Sequence, residues 1–222
     1  MYTETLTLAN GVKIPQLGLG TWFIDDANAA EAVKAAAKLG YRHFDTAQAY
    51  GNERGVGEGV RSCGVAREEL FVVSKVAAEH KTYEAAKASI DATLQKMGLD
   101  YLDMMIIHSP QPWDKVNQCE DRYVEGNRAA WRALEEAYKE GKLRAIGVSN
   151  FQIGDLNSLL EGCTVKPMVN QILLHISNTP LELVEFCQNN GIAVEAYSPI
   201  AHGEILHQPE IQAMAEKYGV AV

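Results

Sequence analysis

The sequence has no cluster of lysine or arginine residues and no long hydrophobic run. Its 20 lysine and arginine residues are outnumbered by 29 aspartate and glutamate residues, which gives a formal net charge of −9. This balance argues against a surface for nucleic acid or anionic lipid. No apolar segment is long enough to cross a bilayer, and the N-terminal segment lacks the apolar core of a signal peptide. We therefore expect a cytoplasmic protein without nucleic-acid or membrane partners.

Cysteine is also scarce. The four cysteines lie far apart and form no CxxC pair; they are Cys63, Cys119, Cys163 and Cys187. This spacing indicates neither a zinc site nor a redox pair, so no metal is predicted. We interpret the four cysteines as reduced side chains that fill space.

One pattern recurs after an N-terminal hairpin. Residues 3 to 17 alternate crudely around Asn10-Gly11, a dipeptide typical of tight hairpin turns. After them, a short apolar run of strand type is followed each time by an amphipathic segment that ends at glycine. The seven runs centre on Leu17–Leu19, His43–Phe44, Leu70–Val73, Leu102–Ile107, Ala145–Val148, Met168–Val169 and Ala193–Ala196.

Capping signals predict where the helices begin and end. Asn28 followed by Glu31 predicts the start of the first helix, and Gly40 its end. The segment that begins at Thr179-Pro180 predicts a later helix with proline at its first position, which ends near Gly191. Three more helices are expected to end at Gly98, Gly141 and Gly219.

Alternating strands and helices predict a parallel sheet covered by helices, in a single domain over residues 1–222. Two architectures fit, an open doubly wound sheet and a (β/α)8 TIM barrel. An open sheet for a dinucleotide normally carries GxGxxG after its first strand. The corresponding segment, Gly18-Leu19-Gly20-Thr21-Trp22, lacks the third glycine and has a large side chain instead. We therefore predict the barrel, whose function lies at the carboxyl ends of the strands.

Polar side chains stand at these predicted strand ends. Asp45, Lys75 and His108 follow three consecutive strands, which lie about 4.8 Å apart in a sheet, so their side chains can touch. Taken singly, such a lysine is usually solvated, such an aspartate is usually a cap, and such a histidine can be a satisfied core residue. Their joint placement is what indicates a catalytic group.

This group can act on a carbonyl. A tyrosine has a pKa of about 10 in water, and a nearby ammonium such as that of Lys75 is expected to lower it. Tyr50 lies in the loop after Asp45, and Asp45 would hold Lys75 charged and in place. A neutral His108 would orient a carbonyl oxygen toward the Tyr50 hydroxyl. Together they predict a proton donor that faces a polarised C=O bond.

The segments that carry these residues are FDTAQAYGNE, VVSK, MMIIHSP, AIGVSNF and AYSPIA, and in this order they closely resemble the aldo-keto reductase family. The resemblance runs from Gly11 to the last residue and is nearest to bacterial-type aldehyde and ketone reductases. It implies a catalytic tetrad of Asp45, Tyr50, Lys75 and His108, with Tyr50 as the general acid. The implied reaction is reversible hydride transfer from NADPH to a small aldehyde or ketone, and NADH is left open.

The resemblance also implies binding residues. Ser149, Asn150 and Gln171 resemble residues that hydrogen-bond the nicotinamide carboxamide, and Tyr197 resembles the aromatic on which the ring stacks. The further residues implied beside the cofactor are Gly20, Thr21, Asp45, Ser198, Pro199, Ile200 and Ala201. The implied substrate residues are Trp22, Tyr50, His108 and Trp113, the last of them in the long loop from Ser109 to Glu125.

Some of these residues also have plainer interpretations. Asn150 is as well explained as a cap of the following helix, and Tyr197 and Trp131 as core aromatics. We adopt the core interpretation for Trp131, which lies on a helical face, and not for Tyr197.

The resemblance fails at the C-terminus, because the barrel has eight strands and only seven runs are found. In the family, the eighth strand and a basic loop that grips the adenosine 2′-phosphate follow at this point. We therefore expect a C-terminally incomplete barrel of about seven strands, with weak cofactor binding and exposed edges on its first and seventh strands. The full-length form is expected to be a monomer.

Two other functions compete with the reductase. One is a catalytically inactive relative that serves as a cofactor-sensing or interaction module, although such a module does not need Tyr50. The other is a barrel enzyme that uses Lys75 as a Schiff-base amine. Asp45 beside the amine would keep it protonated, which is the wrong state for attack on a carbonyl.

Overall fold

A computed structural model describes residues 3–116 and 118–222 of the chain. The strands are β1 (Thr5–Thr7), β2 (Lys13–Pro15), β3 (Gly18–Gly20), β4 (His43–Asp45), β5 (Phe71–Val76), β6 (Met104–Ile107), β7 (Ile146–Ser149), β8 (Val169–Leu173) and β9 (Ala193–Tyr197). The helices are α1 (Asp26–Lys38), α2 (Glu53–Ser62), α3 (Tyr83–Met97), α4 (Val124–Lys139), α5 (Ile153–Leu160), α6 (Leu181–Asn189) and α7 (Pro209–Tyr218). Short 3-10 helices cover Gln48–Tyr50, Arg67–Glu69 and Ala201–His207.

The predicted N-terminal hairpin is confirmed. Strands β1 and β2 pair in antiparallel fashion with Leu6 opposite Ile14, and Gly11 in the turn has a φ of 86°. The side-chain amide of Asn10 donates to the carbonyl oxygen of Arg144 at 2.9 Å. Because Arg144 lies just before β7, the hairpin sits at the amino ends of the strands, on the side opposite to their carboxyl ends.

The seven strands β3 to β9 form one parallel sheet in sequential order. If that sheet were flat, β4 and β9 would stand roughly 24 Å apart, which is five strand spacings. Instead, His43 Nε2 of β4 lies 3.6 Å from Glu195 Oε1 of β9. The sheet therefore curls into a nearly closed barrel, as predicted, with helices between its strands.

The strands differ in how deeply they are buried. All residues of β5 and β6 are buried, whereas the residues of β9 are half-buried or exposed. In the part of the chain that the structure describes, β9 pairs with β8 and β3 pairs with β4, without a pairing between β3 and β9. These two strands are the edges of the sheet.

Glycines end the helices as predicted, but two predicted helix starts are wrong. Helix α1 begins at Asp26 instead of at Asn28, because the Asp26 carboxylate accepts the backbone N–H of Gly55 at 2.7 Å and anchors the helix end to α2. Helix α6 begins at Leu181 after Pro180. The Thr179 hydroxyl does not cap it, because the backbone there forms a tight turn in which Leu181 N–H donates to the Thr179 carbonyl at 2.8 Å.

All four cysteines are free, but only Cys187 is buried and Cys119 is exposed. The interpretation of the cysteines as space-filling residues is therefore wrong for Cys119. Among the described residues, none of the helices has the length and apolar character that crossing a membrane requires.

Candidate active site

Asp45, Lys75 and His108 come together at the carboxyl ends of β4, β5 and β6. Lys75 is fully buried, and its ammonium donates to the Asp45 carboxylate and to the carbonyl oxygen of Thr46, the latter at 2.9 Å. The same nitrogen lies 3.3 Å from the Tyr50 hydroxyl. The structure therefore brings the predicted lysine, aspartate and tyrosine into one hydrogen-bonded group.

Tyr50 is placed by the 3-10 helix that it ends. Gln48 at the start of this helix donates from its side chain to the carbonyl oxygen of Ser89 at 3.1 Å and accepts the backbone N–H of Ala77 at 2.8 Å. Gly51 then turns the chain with a φ of 72°, a conformation that favours glycine. These bonds, one to α3 and one to the segment that precedes it, hold the tyrosine ring over Lys75.

Two residues of the same motif, Asn52 and Glu53, support the site from behind and were not assigned a role from sequence. Asn52 accepts from the Thr46 hydroxyl at 2.6 Å and donates to the carbonyl oxygen of Thr21 at 2.8 Å, which ties β3 to β4. Glu53 is fully buried and accepts from the Ser74 hydroxyl at 2.7 Å. The available signal was their place in the FDTAQAYGNE segment, directly after Tyr50 and Gly51.

Charge and burial act on Lys75 and Tyr50 in opposite directions. Burial lowers the pKa of Lys75, but the Asp45 carboxylate and the Tyr50 oxygen outweigh it, so its pKa is raised and the amine stays protonated. Burial raises the pKa of Tyr50 more than the Lys75 ammonium lowers it, so the net shift is upward. The predicted net lowering of the Tyr50 pKa is thus wrong, although the Lys75 ammonium does act to lower it.

His108 is buried and neutral. Burial, together with the Lys75 ammonium, lowers the pKa of His108 to about 3. Its ring meets the Tyr50 ring edge-on at 5.6 Å and the Trp113 ring edge-on at 4.9 Å. Within the described residues its buried Nδ1 has no hydrogen-bond partner. An imidazole of this kind can donate to or accept from a substrate without carrying charge.

The ends of β7, β8 and β9 form a second polar group beside the first. Gln171 donates to the second Asp45 oxygen at 3.0 Å, and the Ser149 hydroxyl donates to the Gln171 carbonyl at 2.9 Å. The Asn150 side chain donates to the carbonyl oxygen of His108 at 3.0 Å and accepts from the Tyr197 hydroxyl at 2.8 Å. The N-cap of α5 is Gln152, so the interpretation of Asn150 as a helix cap is wrong.

A cleft with a volume of about 610 Å³ opens above these groups. The predicted site residues on its wall are Gly20, Trp22, Asp45, Tyr50, His108, Trp113, Ser149, Asn150, Gln171, Tyr197 and Ser198. Lys75 lies beneath this wall. Thr21 also turns away from the cleft, because its hydroxyl donates to the carbonyl oxygen of Asp45 at 2.9 Å. The other predicted residues outside the wall are Pro199, Ile200 and Ala201, which begin the segment behind Ser198.

Phe23 and His202 also line the cleft and were missed from sequence. Trp22 stacks on Phe23 with ring centroids 4.1 Å apart and meets the His202 ring edge-on at 5.3 Å. Phe23 and His202 have φ values of 65° and 55°, which few non-glycine residues adopt. Local sequence patterns do not predict such left-handed backbone conformations. The sequence therefore gave no sign that the Phe23 and His202 rings line the cleft next to Trp22.

The cleft suits a nicotinamide cofactor at its β7–β9 side. The half-buried Tyr197 ring provides a flat apolar face, and the Ser149, Asn150 and Gln171 side chains supply donors and acceptors next to it. Gly20 faces open space, since an added Cβ would have no neighbour within 4 Å.

Comparisons with known proteins agree with this geometry. The sequence model described as Aldo/keto reductase family matches residues 16–217. Glyoxal reductase of Bacillus subtilis (strain 168) is 46% identical over 220 residues, which are 99% of this chain and 75% of that protein.

Solved structures give the same result. An aldo/keto reductase from Brucella melitensis is 38% identical with a TM-score of 0.88, over 98% of this chain and 80% of that one. A Bombyx mori aldo-keto reductase in complex with NADP is 31% identical with a TM-score of 0.84, over 98% of this chain and 76% of that one. The chain therefore belongs to the aldo/keto reductase family and is an NAD(P)H-dependent oxidoreductase, as its sequence predicted.

Proposed function

We propose that this protein, as one domain over residues 1–222, reduces the carbonyl group of a small aldehyde or ketone with NADPH and that Tyr50 donates the proton. The observation that carries the proposal is the contact of the Tyr50 hydroxyl with the Lys75 ammonium at 3.3 Å, beside neutral His108 and inside one cleft. NADPH supplies a hydride when it is bound. The chain itself has to orient the carbonyl, exclude water and hold a proton at the Tyr50 oxygen.

Each tetrad residue then has a separate role. His108 orients the carbonyl oxygen toward Tyr50, which donates its hydroxyl proton as negative charge develops on that oxygen. Lys75 stabilises the phenolate that remains, since an adjacent ammonium favours the ionised form. Asp45 keeps Lys75 protonated, so the Schiff-base alternative has no free amine to use.

The cofactor side of the cleft has its own roles in this proposal. Tyr197 would stack against the nicotinamide ring, and Ser149, Asn150 and Gln171 would bind its carboxamide. Trp22 and Trp113 both line the cleft and would serve as apolar walls for the substrate. Gly20 and Ser198 also line the cleft and would lie beside the remainder of the cofactor.

The test follows the loss of NADPH absorbance with a panel of small aldehydes, ketones and diketones. Tyr50→Phe keeps the ring and removes the proton, so we expect kcat to fall by about 10²- to 10⁴-fold. Tyr218→Phe is the matched control, because Tyr218 is 64% exposed on α7, away from the cleft, and its rate should stay within about twofold of wild type. A Tyr50→Phe variant as fast as wild type would exclude Tyr50 as the donor.

A further inference from the structure

The loop between β6 and α4, residues 109 to 123, carries Trp113 to the cleft. In the part of this loop that the structure describes, residues 109–116 and 118–123, there is neither a helix nor a strand. Such a loop cannot be held by a backbone hydrogen-bond ladder, so its position depends on side-chain contacts. Trp113 is 42% exposed and meets the His108 ring edge-on, so its own packing is a weak anchor.

Lys81, in the β5–α3 segment, reaches under the start of this loop. Its ammonium donates to the carbonyl oxygen of Ser109 at 2.8 Å and to Asn127 Oδ1 at 2.7 Å. The Lys81 stem passes close to Gly126, where an added Cβ would come within 2.8 Å of the Lys81 Cβ. Glycine at residue 126 thus leaves the room in which the lysine side chain lies.

Asn127 extends the contact from Lys81 to both ends of the loop. Its side-chain amide donates to the carbonyl oxygen of Pro110 at 3.0 Å and to that of Arg122 at 2.9 Å. A second bond comes from the Lys81 segment, in which Glu79 Oε1 accepts the backbone N–H of Trp113 at 3.2 Å. The loop is therefore attached near its start, at Trp113 and near its end.

Burial and two nearby carboxylates act in opposite directions on the pKa of Lys81. Burial lowers the pKa of Lys81 to about 8, and Glu79 of the same segment and Asp155 of α5 act in the opposite direction. Asp155 is itself paired with Arg122 of the loop, at 2.9 Å from Nε to Oδ1. A partly buried ammonium group is retained when hydrogen bonds compensate for its desolvation, which the Ser109 and Asn127 oxygens do here.

We propose that Lys81 is a positioning residue that fixes the β6–α4 loop and thereby sets, through Trp113, how the enzyme discriminates between carbonyl substrates of different bulk. Since the pocket is that of the proposed reductase, this role rests on the proposed function. A bulky aromatic aldehyde fills the cleft up to Trp113, so its binding depends on the Trp113 ring staying in one position. A two-carbon dialdehyde contacts Tyr50 and His108, and its binding does not depend on the position of Trp113.

The test combines hydrogen exchange with kinetics in Lys81→Met, which keeps the length of the side chain and removes the ammonium. We expect faster deuterium uptake in peptides from residues 109–123 and an increase of about tenfold in the KM for 2-naphthaldehyde. The kcat for that aldehyde and the KM for glyoxal should stay within about twofold of wild type. Lys34→Met is the control, because Lys34 pairs with Glu31 on α1, outside the cleft.

A second variant keeps the proposal testable if Lys81→Met fails to fold. Glu79 is exposed, so Glu79→Ala should fold. Loss of the Glu79 carboxylate should speed backbone hydrogen exchange around Trp113. Unchanged uptake in both variants would overturn the proposal, as would faster uptake with unchanged discrimination between the two aldehydes. If the wild type reduced neither aldehyde, the proposed function would fail, while the exchange data would still decide whether Lys81 holds the loop.

Discussion

The Lys75 ammonium and the Asp45 carboxylate are a buried ion pair whose members are costly to separate. Lys75 is fully buried, and the Asp45 carboxylate also accepts from Gln171 at 3.0 Å. A buried pair adds little net stability, but removing one partner leaves the other charge without compensation. The pair is therefore expected to constrain which substitutions the site tolerates.

This predicts a specific pattern in a double-mutant cycle. Lys75→Met should lower the free energy of unfolding by about 3 kcal/mol, because it strands the Asp45 charge. Adding Asp45→Asn should restore part of that loss, because the stranded charge is then gone. Urea denaturation of the two single variants and the double variant measures the coupling, with Lys34→Met as a control at a half-exposed lysine on α1. Strictly additive losses would contradict the pairing.

The protonation states of Tyr50 and His108 predict the pH dependence of reduction. Reduction needs a protonated donor, and the pKa of Tyr50 is raised, so activity should fall only as pH rises above the usual tyrosine value of about 10. The pKa of His108 is about 3, so this residue is neutral from about pH 5 upward and adds no step there. We expect kcat/KM to be level between about pH 5 and 9. A step in this range that His108→Gln removes would contradict the neutral histidine.

Helix α2 sits tightly between its neighbours because glycine occupies its contact positions. A Cβ on Gly57 would lie 2.2 Å from the Met97 carbonyl oxygen of α3, and a Cβ on Gly55 would lie 2.1 Å from the Asp26 carbonyl oxygen of α1. This close approach is what lets Glu53, at the start of α2, reach Ser74 of β5. The packing of α2 thus helps to fix the position of the Gln48–Tyr50 segment that precedes it.

Gly57→Ala should therefore lower the free energy of unfolding by about 1–3 kcal/mol through overpacking against backbone. Gly154→Ala in α5 is the matched control, because its Cβ would meet nothing within 4 Å. The control should be neutral or stabilising by up to about 1 kcal/mol, since alanine favours helix. Thermal denaturation of both variants distinguishes the cases, and equal stabilities would contradict the close contact.

At the scale of the whole molecule, the cleft links β3 and β4 to β7, β8 and β9 across the barrel. Asp45 of β4 contacts Gln171 of β8, and His43 of β4 approaches Glu195 of β9. A cofactor that touches both sides of this cleft binds the folded chain and not the unfolded one. Binding should therefore raise the stability of the entire barrel.

NADPH at a hundred times its dissociation constant should raise the free energy of unfolding by about 2.7 kcal/mol. For a chain of this size that corresponds to an increase of roughly 5–10 °C in Tm. Tyr197→Ala removes the proposed stacking face and should require more NADPH for the same increase. Differential scanning fluorimetry with NADPH and NADH in parallel measures both the effect and the cofactor preference. No increase at millimolar NADPH would count against the proposed cofactor site.

Much of the fold and of the site followed from the sequence. Apolar periodicity predicted the hairpin, the seven strands and the glycine-ended helices, because strands and helices differ in the spacing of their buried residues. The positions of Asp45, Lys75 and His108 at successive strand ends predicted their meeting, since parallel strands present their carboxyl ends at one edge. The motif around Tyr50 added the family and the class of reaction.

Only the tertiary structure decided the features that depend on distant parts of the chain. The net pKa shift of Tyr50 depends on burial, which local patterns do not measure, and the start of α1 depends on a bond to α2. The Phe23 and His202 rings reach the cleft through left-handed backbone conformations, and Lys81 acts on a loop that lies next to it only in the folded chain. The sequence determined which chemical groups meet at the strand ends, whereas folding decided their solvation, their charge and the shape of the cleft around them.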